Sequence, residues 1–161
     1  MIKTENPTGL SIEKKLKSAV LFTKAQLKIE TNALANMANL SAVINMYMDD
    51  INWVGFYLMK DGELILGPFQ GKPACNRIKV GEGVCGTAVK ERRAQLVGDV
   101  LSLDNHIACD SASRSELVIP ISKDGQVYGV LDIDSPSLNR FTNLEQKYME
   151  EIVGLFEASI I

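Results

Sequence analysis

Three cysteines lie in the middle of the 161-residue chain, and a thiol is the side chain there that most readily does covalent chemistry. They are Cys75, Cys85 and Cys109, separated by 10 and 24 residues, and no two of them form a C-x-x-C pair. This spacing excludes a thioredoxin-type motif and a zinc ribbon. The surroundings of each cysteine therefore decide what its thiol can do.

Each thiol allows a chemical and a structural interpretation. Cys85 follows glycines in GEGVCG, at the predicted start of a short helix that extends to about Arg92. The N–H groups at a helix N-terminus lower the pKa of a thiol, so Cys85 is a candidate thiolate. An equally good interpretation is that Cys85 is a small buried residue packed beneath a glycine turn. Cys109, in a polar loop near His106, is either a nucleophile or a free thiol without a role. Cys75 is a candidate resolving cysteine that converts a sulfenic acid into a disulfide.

Three carboxylates follow Cys109 along the chain. Glu116 begins one strand of a predicted hairpin, and Asp132 and Asp134 end its partner strand on one face. Pairing about a turn at residues 123–125 predicts that Glu116 lies near Asp132 in register. If these acids are buried at one place, they suit binding of an amine cation or donation of a proton. The alternative is that they lie on a solvated strand end and have no such role.

His106, the only histidine, allows one further interpretation of the thiols. Together with the three cysteines it would supply the ligands of a zinc site. The ligand spacing is irregular for structural zinc, so we expect no metal in this protein.

Helices and hairpins are predicted on either side of the cysteine segment. Apolar residues recur at helical spacing over residues 11–48, with a break indicated at Thr31-Asn32, and a capping box at Thr142 and Glu145 begins the last helix. Strands are predicted at residues 49–59, 63–68, 95–100, 116–122 and 126–134, with loops at 69–80 and 101–115 and one helical turn in the second loop. Hairpins favour an antiparallel sheet, and helices at both ends favour an α+β architecture in which they cover one face.

The first strand is aromatic, and its side chains alternate between two faces. Trp53 and Tyr57 fall on one face, and Val54, Phe56 and Leu58 fall on the other. Trp53 is therefore either a core residue or the aromatic wall of a pocket.

Composition narrows the class of protein. A formal net charge of −3 and scattered basic residues give no electrostatic reason to expect nucleic-acid binding. The N-terminus has no apolar signal region, and no run of about 18 apolar residues predicts a membrane span. We expect one domain over residues 1–161, located in the cytoplasm, where thiols stay reduced.

Five segments together resemble the GAF-domain free methionine-(R)-sulfoxide reductases, and the likeness covers nearly the whole chain. The segments are GPFQGKPACNRI, GEGVCGTA, HIACDSASRSELVIPI, GVLDIDSP and RFTNLEQ. Generic GAF domains share the strand order but lack cysteines at these places. The resemblance implies a GAF-like sandwich with a six-stranded antiparallel sheet and the N- and C-terminal helices packed on one face.

The resemblance also implies roles for individual residues. Cys109 matches the catalytic cysteine, Cys75 the resolving cysteine, and Cys85 a third cysteine that can join a disulfide and competes with Cys109 as nucleophile. Substrate-binding positions are matched by the acids Glu116, Asp132 and Asp134 and by the aromatics Trp53 and Tyr57.

The resemblance leads to the hypothesis that this protein reduces free L-methionine (R)-sulfoxide through a cysteine sulfenic acid and an intramolecular disulfide. A thioredoxin-type reductant would reopen the disulfide, so no bound cofactor is expected. The resemblance further implies a homodimer packed through its helices. The alternative hypothesis is a GAF module without enzymatic activity that binds a small ligand or senses redox state.

Overall fold

A computed structural model describes residues 2–105, 107 and 109–160. Along the chain the elements are α1 (Ile12–Ile29), α2 (Ala33–Tyr47), β1 (Trp53–Lys60), β2 (Glu63–Gly71), β3 (Arg77–Lys79), α3 (Gly83–Glu91), β4 (Gln95–Val97), a 3₁₀ turn (Val100–Ser102), β5 (Ser115–Lys123), β6 (Gln126–Ser135) and α4 (Asn143–Ser159). The strands form one six-stranded antiparallel sheet in the order β3-β2-β1-β6-β5-β4. The predicted α+β class and sheet are confirmed.

The two faces of the sheet carry two separate apolar clusters. Helices α1, α2 and α4 pack on one face against Val54, Phe56 and Leu131, as predicted for the long helices. The other face packs against α3 through a second cluster that contains Trp53 and Tyr57. The alternation predicted for β1 is therefore confirmed, and the second face is left for loops and a cleft.

Polar caps set the ends of the helices where the sequence indicated them. The side chain of Asn32 accepts a hydrogen bond from the N–H of Ala35 and begins α2, so the predicted break at Thr31-Asn32 is confirmed. Thr142 and Glu145 form the predicted capping box of α4. Across the described residues, no helix is both long enough and apolar enough to span a bilayer.

Several predicted strand limits are wrong, for local reasons. β1 begins at Trp53 and not at residue 49, because Asp50 has a left-handed backbone with φ of 54°. β4 ends at Val97, since Asp99 caps the following 3₁₀ turn by accepting from the N–H of Leu101. β2 extends to Gly71, and β3 lies inside the predicted 69–80 loop, because a strand of three residues gives no alternation to detect.

The β5–β6 hairpin has a different register from the predicted one. Asp124 and Gly125 form a two-residue turn with positive φ, and an irregularity lies between Ile121 and Ser122. As a result Glu116 lies opposite Asp134, and the predicted direct pairing of Glu116 with residue 132 is wrong by two positions. A shift of two residues keeps the carboxylates on one face, so the predicted grouping survives.

Candidate active site

A cleft on the α3 side of the sheet brings together residues that lie far apart in the chain. Its walls come from β1, the segment before β3, the start of α3, the loop before β5, and strands β5 and β6. The lining includes Trp53, Tyr57, Pro73, Ala74, Cys85, Ile107, Cys109, Asp110, Ser113, Glu116, Asp132 and Asp134. Seven of the eight site residues expected from the sequence therefore line one cleft.

Cys75, the eighth, is bonded to Cys109 in a disulfide that joins two cleft-forming loops. The two Cα atoms are 5.3 Å apart, although 34 residues separate the cysteines in the chain. Both residues are half-buried, so the bond remains within reach of the surface. Cys109 lines the cleft, whereas Cys75 is not among the described residues that line it.

Cys85 is a buried free thiol in the first turn of α3. Its Sγ lies 3.9 Å from Oε1 of Glu116, as the donor of a long hydrogen bond. Burial raises the pKa of Cys85 well above its usual 9.0, and the charges of Asp132 and Glu116 raise it further. Of the two interpretations of Cys85, the structure supports the small buried residue and not the thiol with a lowered pKa, because loss of solvation outweighs the helix N–H groups.

The carboxyl groups behind Cys85 are desolvated and crowded. Glu116 and Asp132 are 9% and 6% exposed, which excludes the solvated strand end as their environment. Burial, followed by the charge of Asp132, raises the pKa values of Glu116 and Asp134 well above 4.5 and 3.8. Burial raises the pKa of Asp132 to about 6, while hydrogen bonds with Cys85 and Glu116 oppose that rise. Glu116 and Asp134 therefore hold their protons to a higher pH than ordinary acids do.

Aromatic rings form one wall of the cleft. The indole of Trp53 stacks on Phe69, with ring centroids 5.3 Å apart, and on Tyr57, at 5.8 Å. Glycine is required beneath the indole, because a Cβ at Gly55 or Gly71 would lie within 2.7 Å of an indole atom. Trp53 is thus both a core residue and a cleft wall, so its two interpretations do not exclude each other.

Comparison with known proteins agrees with this geometry. A family model described as GAF domain matches residues 39–160. The free methionine-R-sulfoxide reductase of Escherichia coli (strain K12) is 52% identical over 128 residues, which are 80% of this chain and 78% of that protein. The chain belongs to the GAF-domain free methionine-(R)-sulfoxide reductase family.

Two solved structures extend the family likeness to the whole chain. The structure of fRMsr of Staphylococcus aureus in its reduced form has a TM-score of 0.86 and 47% identity, covering 99% of this chain and 100% of that chain. The structure of free methionine-R-sulfoxide reductase from Neisseria meningitidis in complex with its substrate has a TM-score of 0.93 and 37% identity, covering 99% and 95%. The sheet and the terminal helices are thus those of this reductase family.

Within this family fold, one group of side chains has the geometry of a cation site. One ligand atom each from Cys85, Glu116 and Asp132 lies within 4.8 Å of the others. The histidine of the alternative zinc site, His106, lies outside the described residues. Two of the cysteines of that alternative are joined in the disulfide, which leaves Cys85 as the free thiol.

Sequence reasoning missed the residues that hold the Cys109 loop in this reductase fold. The side-chain amide of Asn52 donates to Oδ2 of Asp110 and to Oγ of Ser113, both at 3.1 Å. Asp110 also accepts from the N–H of Ala112, which lowers its pKa. Asn52 precedes β1, where side-chain alternation gives no signal, so only the folded loop reveals its role.

Proposed function

We propose that this protein reduces free L-methionine (R)-sulfoxide to methionine. The observation that carries the proposal is a disulfide whose Cys109 lines a cleft containing buried, proton-holding carboxyl groups. The family relative from Escherichia coli bears the name of this activity, and the Neisseria meningitidis relative was solved in complex with its substrate. Both facts support the same substrate for this chain.

Cys109 is the nucleophile in this proposal. Its thiolate attacks the sulfoxide sulfur, and the sulfoxide oxygen takes up a proton. The oxygen then passes to Sγ of Cys109 as the new sulfur–sulfur bond and the sulfur–oxygen bond of the substrate break, which releases methionine and leaves Cys109 as a sulfenic acid. Cys75 then attacks the sulfenic sulfur, which releases water and forms the disulfide. Cys85 is the weaker nucleophile, because its buried thiol has a raised pKa.

Glu116 is the proton donor in this proposal. A sulfoxide oxygen must be protonated as its bond to sulfur weakens, and the raised pKa of Glu116 keeps a proton on its carboxyl to a higher pH than in an ordinary glutamate. Asp132, with its pKa of about 6, loses its proton earlier and supplies negative charge beside Glu116. The charge of Asp132 then suits the α-ammonium group of a free amino acid, and a bound ammonium group would in turn favour ionisation of Asp134, which lies near it on β6.

The remaining parts of the cleft and surface fit the same reaction. Trp53 packs the S-methyl end of the substrate, since sulfur groups pack well against aromatic rings. The half-buried disulfide is open to exchange with a thioredoxin-type dithiol, so the proposal needs no bound cofactor and suits a reducing cytoplasm. Exposed apolar side chains on α1 and α2, namely Leu21, Ile29 and Leu34, support a homodimer packed through the helices.

The test is to incubate the pure protein with dithiothreitol and each epimer of methionine sulfoxide, both free and N-blocked. Methionine formed from the free (R) epimer alone is the expected result. The N-blocked forms should give none, because they lack the ammonium group that the acidic cleft recognises. Disulfide formation with peroxide but no methionine from any epimer would contradict the proposal and favour a redox-sensing GAF module.

A further inference from the structure

The segment that carries Cys75 is fastened to the sheet by hydrogen bonds from β1 and β2. The indole N–H of Trp53 donates to the carbonyl oxygen of Lys72 at 3.1 Å, and the Tyr57 hydroxyl donates to the carbonyl oxygen of Cys75 at 3.0 Å. The backbone N–H of Leu66 donates to the next carbonyl, that of Asn76, at 3.0 Å. Tyr57 is thus bonded to the main chain of the cysteine itself.

Tyr57 is a rigid point of attachment. It is 1% exposed and lies on the central strand β1, paired with Leu66 of β2 on one side and Val130 of β6 on the other. Burial and the charge of Asp132 raise the pKa of Tyr57, so the hydroxyl keeps the proton that it donates. Because both neighbouring strands fix the residue, the hydroxyl has one position from which to hold Cys75.

We propose that the Tyr57 hydroxyl is a positioning group that holds the resolving cysteine, Cys75, within reach of Cys109. This role of the hydroxyl is separate from that of the Tyr57 ring, which forms part of the aromatic wall. The effect on disulfide formation does not depend on the proposed function, and only its importance for turnover rests on that function. In the closing step Sγ of Cys75 bonds to the sulfenic sulfur of Cys109, the sulfur–oxygen bond breaks, and the oxygen leaves as water. The hydroxyl takes no part in these bonds and acts by restricting where Cys75 can be.

The direction of the effect follows from preorganisation. In the reduced protein the hydroxyl limits the conformations of Cys75, which raises its effective concentration at Cys109. In the oxidised protein the disulfide keeps the Cys75 carbonyl beside the hydroxyl, whereas in the dithiol Cys75 leaves this position part of the time. The bond is therefore stronger in the oxidised protein, and removing it disfavours the disulfide relative to the dithiol. One hydrogen bond of ordinary strength corresponds to about a five-fold change in this equilibrium.

Tyr57→Phe tests the hydroxyl while keeping the ring, and Tyr47→Phe is a matched control. The hydroxyl of Tyr47 also donates to a backbone carbonyl, that of Glu5 at 2.9 Å, and the residue is 3% exposed in the cluster on the opposite face. Both variants lose one hydroxyl of a buried tyrosine and one bond to a main-chain oxygen, and Tyr47→Phe also loses the bond that its hydroxyl accepts from the N–H of Glu5. A difference between them therefore reports the attachment of Cys75 and not the loss of a hydroxyl in general.

The primary measurement is the dithiol–disulfide equilibrium of Cys75 and Cys109 in dithiothreitol redox buffers, read by mass after alkylation. We expect Tyr57→Phe to shift it about five-fold toward the dithiol, and wild type and Tyr47→Phe to agree. This equilibrium needs no sulfoxide, so it tests the tether even if the proposed activity fails. If Tyr57→Phe does not fold, Trp53→Phe, which removes the bond to Lys72, takes its place with the same expected direction.

A single-turnover experiment adds a kinetic measure. Reduced protein is mixed with one equivalent of free methionine (R)-sulfoxide, and both methionine formation and disulfide closure are followed. The ratio of the closure rate to the methionine rate should fall in Tyr57→Phe, with a longer-lived sulfenic acid that dimedone traps. Equal redox equilibria and equal rate ratios in Tyr57→Phe and Tyr47→Phe would overturn the proposal.

Discussion

Replacement of Asp132 by asparagine should stabilise the folded protein at neutral pH while it impairs the reaction. The carboxyl is buried, and its pKa is raised from 3.8 to about 6, chiefly by loss of solvation. A group whose pKa is raised by folding binds its proton more tightly in the native state than in the unfolded chain. Its contribution to stability is complete below the unfolded pKa of 3.8 and is lost as pH rises through about 6.

The size of the effect follows from the two pKa values. The difference between 3.8 and about 6, at about 1.4 kcal/mol per unit, corresponds to about 3 kcal/mol lost once Asp132 is ionised. Asparagine has nearly the same shape and no charge to desolvate. Because an amide is a poorer partner for Cys85 and Glu116 than a carboxylate, we expect a net gain of about 2 kcal/mol for Asp132→Asn.

Denaturant unfolding of the oxidised protein measures this gain. The stability difference between Asp132→Asn and wild type should be small at about pH 4 and should reach about 2 kcal/mol at about pH 7.5. Asp104→Asn, at an exposed aspartate, is the control for loss of a surface carboxylate. A variant that is less stable than wild type by the same amount at both pH values would show that folding does not raise the pKa of Asp132.

Three further predictions concern single residues. Cys109→Ser should abolish methionine formation, measured in the dithiothreitol assay, and near-normal activity would move the nucleophile to Cys85. Glu116→Gln should lower kcat by about a hundred-fold or more, measured across pH, because the amide cannot give up a proton; unchanged kcat would remove Glu116 as the donor. Glu145→Gln should show the opposite pH behaviour to Asp132→Asn. Burial alone would raise the pKa of Glu145, but hydrogen bonds from Thr142 and Arg140 outweigh it and leave the pKa lowered, so this carboxylate contributes stability above its unfolded pKa of 4.5. The variant should lose about 1–3 kcal/mol near neutral pH and less as pH falls through the folded pKa, and a loss that grows toward acid pH would contradict this.

Local chemistry made much of the scaffold predictable from sequence. The capping box at Thr142 and the cap at Asn32 depend on residues three positions away, which the sequence displays directly. The faces of Trp53 and Tyr57 follow from alternation along one strand. These features need no knowledge of distant contacts, and the structure places them as expected.

Features that depend on distant contacts were not predictable. The pKa of Cys85 is decided by burial against β5 and β6, and the helix start alone left a lowered pKa and a buried thiol as equal alternatives. The β5–β6 register depends on an irregularity at Ile121 that no turn residue announces. Similarly, the bond between Asn52 and Asp110 joins residues 58 positions apart, so it exists only once the sheet and the loop have formed.

One turnover without an external reductant shows whether Cys109 and Cys75 carry out the reaction. Fully reduced protein receives one equivalent of free L-methionine (R)-sulfoxide, the methionine formed is counted per chain, and the disulfide is located by peptide mapping. We expect one methionine per chain together with a Cys75–Cys109 disulfide and a free Cys85. Methionine accompanied by a disulfide that includes Cys85, or no methionine at all, would contradict it.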